Sequence, residues 1–283
     1  MKKAIVFIAL LFPALLFAQS GKVMDNLKMD SKILKMERNY AVYLPPGYET
    51  SDRSYPVLYL LHGATDNHTG WVQFGEVLHI TDKAIKEGTA TPMIIIMPDA
   101  DTKVMGYFNL PDYAYEDFFF NELIPHVEQK YRIKGTKRFR AVAGLSMGGG
   151  GSFMYALRHP DMFSSACPLS AYVGPMTKEQ NNQRFNRQFP KATQAEADGY
   201  FENYNALNLL ANAKVEDVKS VRWYIDCGDD DFLYEGNALM HIEMRKKEIP
   251  HQYRVRDGGH SWTYWRDALP EVLRFVSDSF HQN

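Results

Sequence analysis

Short apolar runs recur along the chain with room for a helix between most of them. Residues 57–61 (Val-Leu-Tyr-Leu-Leu) and 93–97 (Met-Ile-Ile-Ile-Met) are continuous, without the alternation of a half-exposed strand. Such runs predict strands buried on both faces. Residues 139–143, 163–169, 221–227 and 252–255 read as further short strands. Residues 32–44 alternate loosely through Ile33, Leu34, Met36, Tyr40, Val42 and Leu44, which predicts an antiparallel strand ended by Pro45-Pro46-Gly47. Residues 117–131 predict a helix, with acids early and Lys130 and Arg132 late, as the helix dipole favours. Strands alternating with helices imply an α/β fold: a mostly parallel central sheet flanked by helices on both faces. Right-handed crossovers then place the loops after the strands on one rim, where ligands bind in such sheets.

The run at 139–143 breaks into Gly144-Leu145-Ser146-Met147-Gly148 and resumes as a helix over 152–158. Strand, G-x-S-x-G, helix is the pattern of a nucleophile elbow in the α/β-hydrolase fold. A serine at so sharp a turn has a strained backbone, and flanking residues without a Cβ let strand and helix approach. A phosphate-binding loop has a similar outline. Against it, no Gly-Lys-Ser/Thr follows and no second glycine pattern opens an earlier strand–helix unit.

Residues 173–215 interrupt the alternation with a polar, irregular stretch (Lys178-Glu-Gln-Asn-Asn-Gln-Arg184) and a helical piece around 195–210. An insertion at this point sits on the strand-carboxyl rim beside the serine. It reads equally as a small cap and as a solvated excursion.

With 283 residues, 45% of them hydrophobic, the chain can bury a full core as one domain. A formal charge of −2 and no basic run give no nucleic-acid footprint and no membrane-surface patch. Residues 1–18 have the form of a signal peptide: Met1-Lys2-Lys3, an apolar stretch over 4–17, and Leu16-Phe17-Ala18 before Gln19. The apolar stretch is short for a membrane span, and no cysteine follows it for a lipid anchor. Removing it takes away Lys2 and Lys3 and leaves 30 basic against 34 acidic side chains in an exported domain over 19–283. Cys167 and Cys227 fall on separate strands without metal or redox spacing; two buried free thiols are expected, one bridge being the alternative.

A hydrolytic serine needs a base, and the base a carboxylate that fixes its tautomer. In this fold the chain order is Ser, acid, His. Of the histidines after Ser146, only His260 lies in a turn after the last predicted strand, in Asp257-Gly-Gly-His260-Ser-Trp262. His241 and His251 lie on or beside a charge-dense helix and read as solvated, and His159 reads as a helix C-cap before Pro160. The acid is expected in Gly228-Asp229-Asp230-Asp231-Phe232-Leu233, where Asp231 also reads as an N-cap for a helix from Leu233. The triplet lacks the spacing of a calcium loop, so no metal is expected. Met147, after the serine, supplies one oxyanion amide by position, and Leu61-His62-Gly63-Ala64-Thr65 is the loop for the other. His62 precedes the serine and is expected to stabilise that loop.

Leu60-Leu-His-Gly-Ala-Thr65, Tyr115-Glu-Asp-Phe118 with Glu122-Leu-Ile-Pro125, Gly144-Leu-Ser-Met-Gly-Gly149, Cys227-Gly through Asp231-Phe-Leu233, and Gly258-Gly-His-Ser-Trp262 together resemble the esterase D-like family. That family holds feruloyl and acetyl xylan esterases of carbohydrate esterase family 1, S-formylglutathione hydrolases, siderophore esterases and mycolyltransferases. The resemblance spans about residues 30–280. It implies Ser146 as nucleophile, Asp231 as triad acid with Asp230 as runner-up, His260 as base, and the amides of Ala64 and Met147 as oxyanion hole. With the export read from residues 1–18, it implies a cofactor-free enzyme removing acyl groups, feruloyl favoured, from acylated oligo- or polysaccharide. Rival readings are an acetyl xylan esterase or deacetylase, a siderophore esterase, an acyltransferase and a carbohydrate-binding protein without turnover. Of the aromatics expected near the rim, Trp71, Tyr107, Phe108 and Trp262 are the candidates for binding a feruloyl ring or a sugar, with Tyr113, Tyr115 and Trp265 beside them.

Overall fold

The computed structural model describes residues 20–100 and 106–281. The signal-peptide reading of residues 1–18 therefore lies outside the described residues. The strands in chain order are β1 (Lys22–Ser31), β2 (Met36–Leu44), β3 (Val57–Leu61), β4 (Ile94–Pro98), β5 (Asn109–Leu110), β6 (Tyr113–Ala114), β7 (Arg140–Leu145), β8 (Ser165–Leu169), β9 (Arg222–Gly228) and β10 (His251–Arg256). Eight of them form one sheet in the order β1-β2-β4-β3-β7-β8-β9-β10. Its first two pairings, β1 with β2 and β2 with β4, are antiparallel, and every later pairing is parallel. This is the α/β-hydrolase arrangement expected of the apolar runs.

Each central strand is buried on both faces because helices cover both. Val57, Tyr59, Leu61, Val142 and Ile225 belong to the core on one face. Leu58, Leu60, Ala141, Ala143 and Tyr224 belong to the core on the other, under the helices Val77–Lys86 and Trp262–His281. The strand order reverses at β3, which lies between β4 and β7. Loops after β3 and β7 thus diverge from neighbouring strand ends and leave a crevice, the usual ligand position in open α/β sheets.

Several elements depart from the sequence pattern. The strand expected over 32–44 is the second half of a hairpin: Lys35, at φ 54°, turns the chain between β1 and β2. β1 has no apolar run to mark it, because it is an edge strand, half-exposed and rich in charge. The helix expected over 117–131 divides into Tyr115–Phe118, one wider turn at Phe119–Leu123, and Ile124–Lys130. The piece expected around 195–210 divides at Asn205, whose side chain caps the second helix through the Asn208 amide. The polar stretch before it is not irregular: Lys178–Gln188 is a helix capped by Thr177. Its buried Phe185 ring packs on Tyr200, so the insertion has a small core of its own.

Cys167 and Cys227 are free and buried on adjacent strands β8 and β9. Burial pushes the Cys227 thiol up to about 12 and that of Cys167 higher still, which leaves both unreactive.

Candidate active site

β7 ends at Leu145, and Ser146 turns the chain straight into the helix Met147–Arg158. Its backbone sits at φ 55°, a costly conformation for a residue with a side chain. Hydrogen bonds hold it there: the Ser146 amide donates to Leu169 O (2.9 Å), while its carbonyl accepts from the Gly150 and Tyr172 amides (both 3.0 Å). The glycines answer to crowding. A Cβ on Gly144 would stand 2.5 Å from Gly148 O, and one on Gly148 would stand 2.6 Å from the carbonyl oxygens of both Leu61 and His62. Strand β3 and the helix therefore touch where the serine is presented.

Loops after β9 and β10 bring Asp231 and His260 to the same rim. His260 Nε2 lies 2.9 Å from Ser146 Oγ, and its Nδ1 lies 2.8 Å from Asp231 Oδ2. The other carboxylate oxygen, Oδ1, accepts the Leu233 amide at 2.8 Å. Burial alone would raise the Asp231 pKa; hydrogen bonds from His260, the Leu233 amide and Ser170 outweigh it and hold the carboxyl below its usual range. An ionised carboxylate on Nδ1 fixes the tautomer with Nε2 free to take the serine proton. Asp230 is exposed and outside this relay, and its amide instead joins the two rim loops by donating to Gly258 O at 3.1 Å. Asp231 is also not the helix cap expected of it: the helix Tyr234–Lys246 has Leu233 as N-cap, two residues later.

Ala64 and Met147 line the same cavity as Ser146. The Met147 amide opens a helix, where N–H groups lack intrahelical acceptors. The loop carrying Ala64 is braced from beneath by His62. Its Nδ1 donates to Gly63 O at 2.8 Å and its Nε2 accepts the Ala100 amide at 2.9 Å. Burial lowers its pKa to about 4, so the ring is neutral, as an accepting Nε2 requires.

The cavity has a volume of about 220 Å³ and is lined mainly by apolar side chains, among them Phe108, Leu110, Met154, Phe185, Tyr204 and Phe232. Gly174, Pro175, Asn181, Arg184, Phe185, Gln188, Tyr200 and Tyr204 all come from the insertion, which forms one wall over the serine. Of the aromatics expected to meet substrate, Phe108 lines this cavity. Trp71 and Tyr107 do not: both are buried, Trp71 donating to Leu61 O (3.0 Å) and Tyr107 to His62 O (3.1 Å). They are struts of the loop that carries Ala64. Trp262 is also outside the cavity, packed among Trp71, Phe74 and Trp265. Tyr113, Tyr115 and Trp265 are buried as well. Periodicity cannot separate these positions, because an aromatic that props a loop and one that lines a pocket occupy the same stretch of chain.

The histidines set aside in the sequence lie apart from the relay. His159 caps its helix and also pairs with Glu116 at 2.7 Å. His241 and His251 are not simply solvated; they are half-buried and hydrogen-bonded to each other at 2.7 Å. The Asp229, Asp230 and Asp257 carboxylates lie within 4.8 Å of one another on the surface.

One contact beside the cavity was assigned no role from the sequence, although Glu116 lies in a segment that carries the family resemblance. Buried Glu116 accepts from Arg158 Nε (2.9 Å) and from Tyr204 OH (2.8 Å). Tyr204 in turn stacks on Phe108 with ring centroids 4.9 Å apart. The cavity wall is therefore docked onto the body through a carboxylate.

Residues 31–276 match the model of the esterase family, described as "Putative esterase". A solved ferulic acid esterase is 37% identical and superposes with a TM-score of 0.82, covering 92% of this chain and 99% of that one. An endo-1,4-beta-xylanase/feruloyl esterase from Xylanibacter ruminicola is 37% identical over 129 residues, or 43% of this chain; the match spans only 18% of that longer protein. An acetyl esterase from Caldicellulosiruptor saccharolyticus is 21% identical over 87% of this chain and 95% of its own. With the family match running through nearly all the described residues, the chain belongs to the esterase family.

Proposed function

We propose that the protein is an exported serine carboxylic-ester hydrolase that releases hydroxycinnamoyl groups, feruloyl foremost, from plant polysaccharide or its oligosaccharides. The observation that carries the reading is the hydrogen-bonded series Asp231–His260–Ser146 opening onto a largely apolar cavity of about 220 Å³. His260 takes the Ser146 proton as Oγ attacks the ester carbonyl. The amides of Ala64 and Met147 receive the developing oxyanion. His260 then protonates the leaving alkoxide, and Asp231 stabilises the imidazolium while it exists. Water, deprotonated by the same imidazole, attacks the acyl-serine, and His260 returns that proton to Ser146 Oγ as the acid is released. No cofactor takes part in these steps.

The cavity supports an aryl acyl group, since an acetyl would leave most of that volume to water against apolar walls. The solved ferulic acid esterase supports it too. The signal-peptide pattern of residues 1–18 supports export. Deacetylation is the second reading, favoured by the likeness to an acetyl esterase along most of both chains. The test sets methyl ferulate and methyl p-coumarate against a nitrophenyl acetate and acetylated xylan, with Ser146→Ala as blank. Faster turnover of the hydroxycinnamates is expected. Acetyl release alone moves the protein to the second reading, and hydrolysis undiminished in Ser146→Ala overturns both.

A further inference from the structure

His260 meets two aromatic rings. Trp265, buried, stands edge-on with centroids 4.9 Å apart, and Phe232 lies at 4.5 Å, tilted by 50°. Phe232 differs in one respect: it is 72% exposed, although it follows directly on the buried Asp231. A loose loop does not explain that exposure. The Asp231 amide donates to Gly228 O (3.3 Å), the Tyr234 amide to Asp231 O (3.0 Å) and the Leu233 amide to Asp231 Oδ1 (2.8 Å). The turn that fixes the carboxylate therefore fixes the exposed ring as well. Tyr234, 59% exposed, continues this apolar edge, and Met176, also exposed, lies near Gly236 in the following helix.

The direction of the reaction gives the ring a purpose. The acyl group belongs in the cavity, and the oxyanion faces the loop carrying Ala64. The leaving oxygen must come within hydrogen-bond reach of His260 Nε2, since that nitrogen returns the proton. The alcohol half of the ester then emerges over His260, beside the Phe232 ring. We propose that Phe232 is the platform of a leaving-group subsite for a neutral sugar ring, the one whose hydroxyl carries the acyl group. A sugar has an apolar C–H face that covers an exposed aromatic and hydroxyl edges that stay in water. The neighbouring charge selects among alcohols. Asp229, Asp230 and Asp257 stand exposed on the two rim loops and repel an anionic alcohol, while their oxygens accept sugar hydroxyls.

This inference rests on the serine-esterase reading, and one experiment separates the two. Values of kcat/KM are measured for methyl ferulate, octyl ferulate and a feruloylated neutral arabinoside with the wild type, Phe232→Ala and Phe232→Trp, each checked for an unchanged melting temperature. In Phe232→Ala the ratio of arabinoside to methyl ester is expected to fall about three- to tenfold, mainly through KM, and Phe232→Trp to restore it. An unchanged ratio in Phe232→Ala, or a larger loss on octyl ferulate than on the arabinoside, overturns the sugar platform while leaving the esterase reading intact. Failure of the wild type on all three esters overturns the hydroxycinnamoyl reading and the platform with it.

Discussion

Glu116 accepts the phenolic hydrogen of Tyr204 at 2.8 Å, and this bond ties the insertion to the body of the protein. Arg158, the last residue of the helix that follows Ser146, binds the same carboxylate and also reaches Asn203 at 2.8 Å. Burial would raise the Glu116 pKa, but hydrogen bonds from His159, Arg158 and Tyr204 outweigh it and keep the group ionised. Tyr204→Phe keeps the ring and removes the bond. It should lower kcat/KM for a hydroxycinnamate several-fold more than for nitrophenyl acetate, whose small acyl group does not need the wall. Glu116→Ala leaves Arg158 without its buried partner and should cost about 3 kcal/mol of unfolding free energy in urea.

Register in the aspartate triplet is open to a direct kinetic comparison. Asp231→Asn keeps the shape but presents the wrong hydrogen-bond pattern to His260, and kcat should fall by about 10⁴. Asp230→Asn alters an exposed carboxylate outside the relay and, on methyl ferulate, which brings no sugar to the rim, should leave kcat within about twofold. Equal losses in the two variants would contradict the relay geometry.

His62 makes stability depend on pH. Its folded pKa of about 4 lies below the value of 6.5 for a free histidine. As pH falls, the unfolded chain takes up the proton first, so its contribution to stability is full above 6.5 and declines down to 4. The slope should be about 1.4 kcal/mol per pH unit, and the total about 3 kcal/mol. Urea midpoints of the wild type and His62→Asn, followed across that window, isolate this contribution: the difference between them should shrink as pH falls.

Gly148 leaves no room for a side chain. Ala at this position would press its methyl on the carbonyl oxygens of Leu61 and His62, both backbone atoms that cannot swing aside. Gly148→Ala should lose about 2 kcal/mol of stability. Because the displaced segment leads into Ala64, kcat should also fall more than KM rises, which steady-state kinetics on the folded variant would detect.

The sequence by itself determined the α/β fold and the point where chemistry would gather. Continuous apolar runs such as 57–61 and 93–97 can be satisfied only between two layers, and a glycine-flanked serine between strand and helix tolerates few other conformations. His260 was legible because chain order and a Gly-Gly turn after the last strand left no equal candidate. What the sequence left open was decided by contacts between distant segments. Asp231, which the family resemblance put ahead of Asp230, meets His260 because the turn after β9 buries one carboxylate and exposes its neighbour, a difference of backbone rotation that three identical residues do not show by themselves. Trp71 and Tyr107 became struts and Phe108 a cavity wall because burial depends on what arrives from elsewhere in the chain. The polar run at 178–188 became a helix over the serine through Phe185, Tyr200 and the buried carboxylate of Glu116, the last from a segment more than sixty residues earlier. Local pattern fixes which elements form; only packing fixes which of their side chains face one another.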